Sequence, residues 1–361
     1  MFSQYVFCQL TKAHLICKLK SQILLLVWRM ANSSIQKING DFRGKDILSL
    51  DQFDIASVKK LFLATKKMAQ IAKNARPSEL LKGNIVTLLF YEPSSRTFGS
   101  FSAAVKQLGG QTVEIQNPQQ FSSASKGETL EDTIRVFEAY CDAIVIRHPN
   151  KGAASNAAVA AQFVPVINAG DGIGEHPTQA LLDLYTIFER TERLDNLTGV
   201  LAGDMLNGRT VHSLIRGLSK YKGNKLYLLS PKELRLGSFE LKTLPSHMES
   251  GKVNSNIKIH EITSEKDIPE NADFWYWTRV QKERFNSKKE YERVKNRFIL
   301  TPKLIKEKAG KNTIFMHPLP RVGEILQEVD SNPNAVYLRT EIRNGMYVRM
   351  ALTALILGKA K

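Results

Sequence analysis

The turn Glu92-Pro93-Ser94-Ser95-Arg96-Thr97 gathers hydroxyl and backbone N–H donors around one guanidinium. A helix starting inside such a turn offers unpaired N–H groups and a partial positive charge, so the turn can hold a phosphate from several sides, with Arg96 adding a bidentate pair. The same residues also read as an ordinary helix cap, because Ser and Thr are favoured there in any case. Further along, Arg147, His176 with Gln179, Arg209, Arg279 with Gln281, and Leu319-Pro320 each lie at or just beyond the end of a stretch that reads as a buried strand. Such residues at several strand ends form a pocket rich in guanidinium groups, suited to holding anions and developing negative charge.

These positions depend on an alternation of elements. Ile85 to Phe90 is almost wholly apolar, as a strand buried on both faces requires. From Thr97 the apolar and small residues Phe98, Phe101, Ala104, Val105 and Leu108 fall at helical spacing, with Gly109-Gly110 as a stop. The same strand, loop and helix order recurs through Asp142 to His148, Val164 to Gly170, Gly199 to Gly203, Lys225 to Ser230, Ala272 to Thr278 and Thr313 to His317. It predicts an α/β protein of two doubly wound parallel-sheet domains, with the site between them beyond the carboxyl ends of the strands. The expected division is an extension over 1–40, a first domain over 41–190 and a second over 191–340. A C-terminal helix over 341–358 closes the chain and packs back on the first domain. A helix is expected within Glu233 to Asn256, and Lys282 to Phe298 reads as a mobile loop with a helical part.

Composition narrows the function classes. At 361 residues, 43% hydrophobic and 24% charged, the chain has the make-up of an ordinary globular protein. Three cysteines without metal-ligand spacing argue for a reducing compartment and against a disulfide or zinc framework. The net charge of +16 raises a nucleic-acid partner. Five of those charges lie in residues 1–40, which hold no Asp or Glu, and the rest form no basic block, so no nucleic acid is expected. Two anionic substrates would account for a basic cleft equally well. The apolar stretch between Lys20 and Arg29 is too short to span a bilayer. With its basic, acid-free surroundings it reads either as a targeting presequence over residues 1–37, which would send the protein to an organelle, or as a loose extension of a cytoplasmic protein.

The motifs taken together resemble those of the aspartate and ornithine carbamoyltransferase family over roughly residues 42 to 359. The carrying stretches are Phe90 to Phe101, Lys126-Gly127-Glu128-Thr129-Leu130, Arg147-His148-Pro149, His176-Pro177-Thr178-Gln179, Gly208 to Ser213, Thr278 to Arg284 and His317-Pro318-Leu319-Pro320-Arg321. The aspartate branch is favoured by the run Arg279-Val280-Gln281-Lys282-Glu283-Arg284. It is also favoured by Pro318, where the ornithine branch carries a cysteine.

The resemblance implies transfer of a carbamoyl group from carbamoyl phosphate to L-aspartate, the committed step of pyrimidine synthesis, a chemistry for which no metal or cofactor is expected. The 41–190 domain would bind carbamoyl phosphate and the 191–340 domain aspartate. By the same resemblance Ser94, Ser95, Arg96, Thr97 and Arg147 hold the phosphate, and His176, Arg147 and Thr97 the carbamoyl oxygen. Gln179 and the carbonyls of Leu319 and Pro320 take the carbamoyl nitrogen, with a cis bond before Pro320. Arg209, Arg279 and Gln281 bind aspartate, and Glu92 pairs with Arg209 or Arg284 when the domains close. Ser122 and Lys126 enter the neighbouring subunit's site in a homotrimer; a regulatory chain is left open. Ser95 departs from the family's usual Thr, and Pro93 and Met205-Leu206-Asn207 differ from well-known bacterial forms. Ornithine as acceptor, or a basic scaffold that has lost catalysis, are the competing readings. His148, His212 and His317 sit in these motifs, and His148 and His212 read as structural groups.

Overall fold

Strand β1 (Ile85–Phe90) leaves only its first residue partly open, which is what a run of six β-forming residues in the middle of a sheet demands. In the computed structural model it lies between β2 (Gln111–Gln116) and β3 (Ala143–His148), and β4 (Val166–Asp171) follows β3, all four strands parallel. The structure describes residues 36–360 except 75–77, 122–125, 173, 238–246, 250–251, 255 and 286. Alternate residues of the central strands enter different cores. Leu88, Phe90 and Val145 join one cluster, and Leu89, Ile144 and Ile146 another, so helices cover both faces.

The helices of this half are α1 (Ile55–Lys73), α2 (Ser95–Gln107), α3 (Leu130–Glu138), α4 (Ala153–Ala160) and α5 (Pro177–Thr191). A second parallel sheet follows, built from β5 (Thr198–Ala202), β6 (Asn224–Leu229), β9 (Ile257–Ile262), β10 (Phe274–Trp277) and β11 (Ile314–Met316), in the order β11-β10-β5-β6-β9. It too is packed on both faces. Phe274 and Tyr276 point into the large cluster shared with the first sheet, and Trp275 and Trp277 into a separate core. The aromatic run is therefore sheet core, each ring contributing about 1.5–3 kcal/mol through burial. Gly199 is dictated by this packing, since a Cβ there would stand 2.2 Å from the Phe274 ring.

Helix α6 (Arg209–Leu218) follows β5, and α9 (Thr340–Ile356) ends the chain against α1, α2 and α5. Three local details follow. The segment 233–256 carries an antiparallel hairpin, β7 (His247–Glu249) and β8 (Lys252–Asn254), that the sequence does not announce; the helix expected in this segment falls on residues 238–246, which lie outside the described ones. Within 282–298 there is a 3-10 turn over Lys282–Arg284 and a regular helix, α7 (Lys288–Val294), capped by Ser287. Helix α8 (Pro302–Lys308) escaped the sequence reading although Thr301 caps it and Pro302 starts it. Among the described residues no helix is long and apolar enough to cross a membrane. The targeting reading of the leader falls on residues 1–35, outside the described ones, and extends only to residues 36 and 37 within them.

Candidate active site

Beyond the carboxyl ends of both sheets lies a cleft of about 1190 Å³. Among the described residues four helices begin at its wall without a side-chain cap: α2 after Ser94, α5 after His176, α6 after Gly208 and α9 after Arg339. By contrast α1, α3, α7 and α8 have capping hydroxyl or carboxylate groups. The hydroxyl of Ser94 makes no cap bond, so the helix-cap reading of this turn fails and the first-turn N–H groups of α2 stay available to an anion.

Among the described residues seven arginines line the cleft, Arg96, Arg147, Arg209, Arg279, Arg284, Arg343 and Arg349, against three carboxylates, Glu92, Glu283 and Glu341. That surplus suits a site for more than one anionic group. Arg147 is almost wholly buried; its Nη1 donates to Ala169 O at 3.1 Å and its Nη2 pairs with Glu92 at 3.2 Å. Gly170 makes room for it, because a Cβ there would meet Arg147 Nη1 at 2.8 Å in a backbone with φ of +120°. Arg209 donates to the carbonyl of Gly172, and burial and then Arg147 lower its proton affinity. Burial and then Arg279 do the same to Arg96.

His176 is buried, with the Thr178 hydroxyl 3.4 Å from its Nδ1. Burial, then the Arg147, Arg209 and Arg349 guanidiniums, hold it well below the usual histidine range, so the ring is neutral. Gln179 Nε2 donates to Asp183 Oδ1 at 2.9 Å. From the second sheet, Arg279 forms a two-pronged pair with Glu283, and Gln281 Nε2 donates to Asn207 O at 2.8 Å. The Leu319-Pro320 bond is cis. Leu319 N donates to His317 Nδ1 at 2.7 Å, so His317 Nε2 carries the proton it gives to Glu324 at 2.6 Å. This histidine orients the turn. His148 accepts from Asn150 N at 3.0 Å and His212 bonds Met205 O at 2.7 Å, neither lining the cleft.

Of the sixteen residues singled out in the sequence, all but two line this one cleft. Lys126 is exposed and away from it, and Ser122 lies outside the described residues. Glu92 is paired with Arg147 here and not with Arg209 or Arg284. Sequence reasoning missed Ser100, Glu341 and Arg349 as cleft residues; the last two lie on a helix that had been read only for its packing.

Residues 45–189 match the family model for the aspartate/ornithine carbamoyltransferase carbamoyl-P binding domain, and residues 195–356 that for the Asp/Orn binding domain. The chain is 46% identical over 315 residues to the multifunctional protein pyr1-3 of Dictyostelium discoideum, covering 87% of this chain and only 14% of that relative's length. It is 43% identical over 317 residues to the chloroplastic aspartate carbamoyltransferase of Arabidopsis thaliana, covering 88% and 78% of the two chains. Aspartate transcarbamoylase from Trypanosoma cruzi, solved with carbamoyl phosphate and aspartate, is similar in structure at a TM-score of 0.79. It shares 36% identity, with 90% of this chain and 100% of that one covered.

Proposed function

The chain belongs to the aspartate/ornithine carbamoyltransferase family, and from that premise we propose that it transfers the carbamoyl group of carbamoyl phosphate to the α-amine of L-aspartate, giving N-carbamoyl-L-aspartate and phosphate. The observation that carries this reading is the joining, in one cleft, of the uncapped Ser94 to Thr97 turn from the first sheet and Arg209, Arg279 and Gln281 from the second. One side suits a phosphate, the other a dicarboxylate.

In the proposed reaction the deprotonated α-amine attacks the carbamoyl carbon, and the carbonyl oxygen gains negative charge. Thr97, Arg147 and the neutral His176, as an N–H donor, stabilise that oxygen; fixed donors in a dry site act without reorganising. Ser94, Ser95, Arg96, Thr97 and Arg147 hold the departing phosphate. Gln179 and the carbonyls of Leu319 and Pro320 orient the carbamoyl amide, and Arg209, Arg279 and Gln281 hold the aspartate carboxylates. Holding both reactants in one geometry supplies a large part of the rate.

The position of Lys126 outside its own chain's cleft supports a shared site, with Lys126 and Ser122 donated to a neighbour in a homotrimer. We place the reaction in pyrimidine synthesis. The acid-free leader, together with the chloroplastic relative, supports organelle targeting by residues 1–37. A tagged chain lacking those residues that localises like the full chain would end that part of the reading. The function itself is tested by acceptor-dependent phosphate release. L-Aspartate supports it and L-ornithine does not; release with ornithine alone would overturn the assignment.

A further inference from the structure

Beside Gln179, in the wall of the cleft, several elements meet around buried polar groups. Asp183, one helical turn further along α5, is fully buried; its Oδ1 accepts from Gln179 Nε2 at 2.9 Å and its Oδ2 from Tyr276 Oη at 2.9 Å. Against it stands the buried Glu341 carboxyl of α9, close enough for a hydrogen bond. Glu341 Oε2 accepts from His317 N at 3.1 Å, while its Oε1 is buried and meets no donor. Two ionised carboxylates repel in such a place, and an unpaired buried acceptor is costly. One proton resolves both difficulties, since it turns the contact into an O–H···O bond and gives the orphaned oxygen a partner.

The neighbours fit one negative charge and not two. Gln179 faces the pair from α5, Thr210 faces Tyr276 from α6, and Tyr276 itself comes from β10. The backbone N–H of His317 follows β11. A guanidinium facing the pair is that of Arg349 of α9, fixed by Ser100 at 2.9 Å and lying 5.2 Å from the Phe101 ring centre.

We propose that Asp183 and Glu341 share a single proton, Glu341 donating to the Asp183 carboxylate, and that this pair is the positioning group for Gln179. The inference rests on Gln179 orienting the carbamoyl amide as proposed above. The pair takes no part in the reaction; it sets the acceptor that fixes the Gln179 amide. Burial pushes Asp183 up to about 7 and Glu341 well above the carboxylate range, so the pair keeps a proton at neutral pH. Its loss at higher pH leaves two facing anions, whose repulsion moves the Asp183 acceptor and with it Gln179.

The test compares the full-length wild type with Glu341→Gln, Glu341→Leu and Asp183→Asn. Infrared spectroscopy reads the carboxylic-acid carbonyl band, and kinetics read KM for carbamoyl phosphate against pH. The amide of Glu341→Gln can donate as the protonated carboxyl does, so this variant keeps most of the neutral-pH activity, loses the acid band and loses the alkaline rise in KM. Glu341→Leu and Asp183→Asn raise that KM by about tenfold, the scale of one buried hydrogen bond. An unchanged acid band in Glu341→Gln, or Glu341→Gln as damaged as Glu341→Leu, overturns the proposal. A wild type that shows the band yet transfers nothing to aspartate overturns the functional reading instead, and leaves the shared proton standing.

Discussion

Arg147 Nη2 holds Glu92 Oε1 at 3.2 Å, and the second carboxylate oxygen of Glu92 is buried without a hydrogen-bond partner. The guanidinium proposed to hold phosphate thus already carries a carboxylate that would compete with a phosphate dianion for it. Once displaced, Glu92 is free to reach Arg209 or Arg284 across the cleft.

The Glu92→Gln substitution therefore separates two quantities. Inorganic phosphate should bind this variant equally well or a few-fold more tightly, because a competing anion is gone. The kcat should fall by about ten- to a hundredfold, the scale of one charged contact. Calorimetric titration with phosphate beside steady-state kinetics checks this; weaker phosphate binding would show that Glu92 supports Arg147 and does not compete for it.

Arg96 stands at the open end of the turn proposed to hold phosphate, with its proton affinity lowered first by burial and then by Arg279. Arg96→Ala should reduce kcat/KM by about a hundredfold or more, and Arg96→Lys should restore little of it, because an ammonium cannot reproduce a bidentate fork. Full rescue by lysine would reduce the role of Arg96 to charge alone.

His176 carries a pH signature. The folded state lowers its proton affinity, through burial and then three arginines. Below about pH 6.5, the ordinary histidine value, the unfolded chain takes up a proton that the folded chain refuses. Stability tied to the neutral ring is present above that pH and is lost as pH falls. Thermal unfolding of His176→Gln should accordingly show a shallower loss on acidification than wild type, together with a kcat about a hundredfold lower. An equally steep loss would place the proton elsewhere.

Lys126 is exposed and does not line the cleft of its own chain. A shared site predicts complementation. Lys126→Ala and Arg96→Ala chains, each inactive alone, should recover part of wild-type activity when mixed and reassembled, since some sites then draw both intact residues from different chains. No recovery in a verified mixed oligomer would confine the site to one chain.

The strand ends were legible because buried parallel strands read as unbroken apolar runs, which fixed where Arg147, His176 and Leu319 had to emerge. What escaped was polar chemistry on buried helices. Helix α9 is buried along nearly its whole length, so Glu341 and Arg349 have no exposed polar face to make them conspicuous. The hairpin β7–β8 was missed because two three-residue strands are too short to show a period of two. The pairing of Glu92 with Arg147 was equally invisible, since it depends on how far the two strand ends stand apart in space.

The central claim is that one cleft reads a phosphate with one sheet and a dicarboxylate with the other. N-(phosphonacetyl)-L-aspartate joins those two anions in one molecule, so its calorimetric titration tests the claim most directly. The account predicts one molecule bound per chain, much more tightly than inorganic phosphate, with Arg279→Ala weakening the joined ligand about tenfold or more while leaving phosphate affinity unchanged. Binding no tighter than phosphate, or indifferent to Arg279, would contradict it.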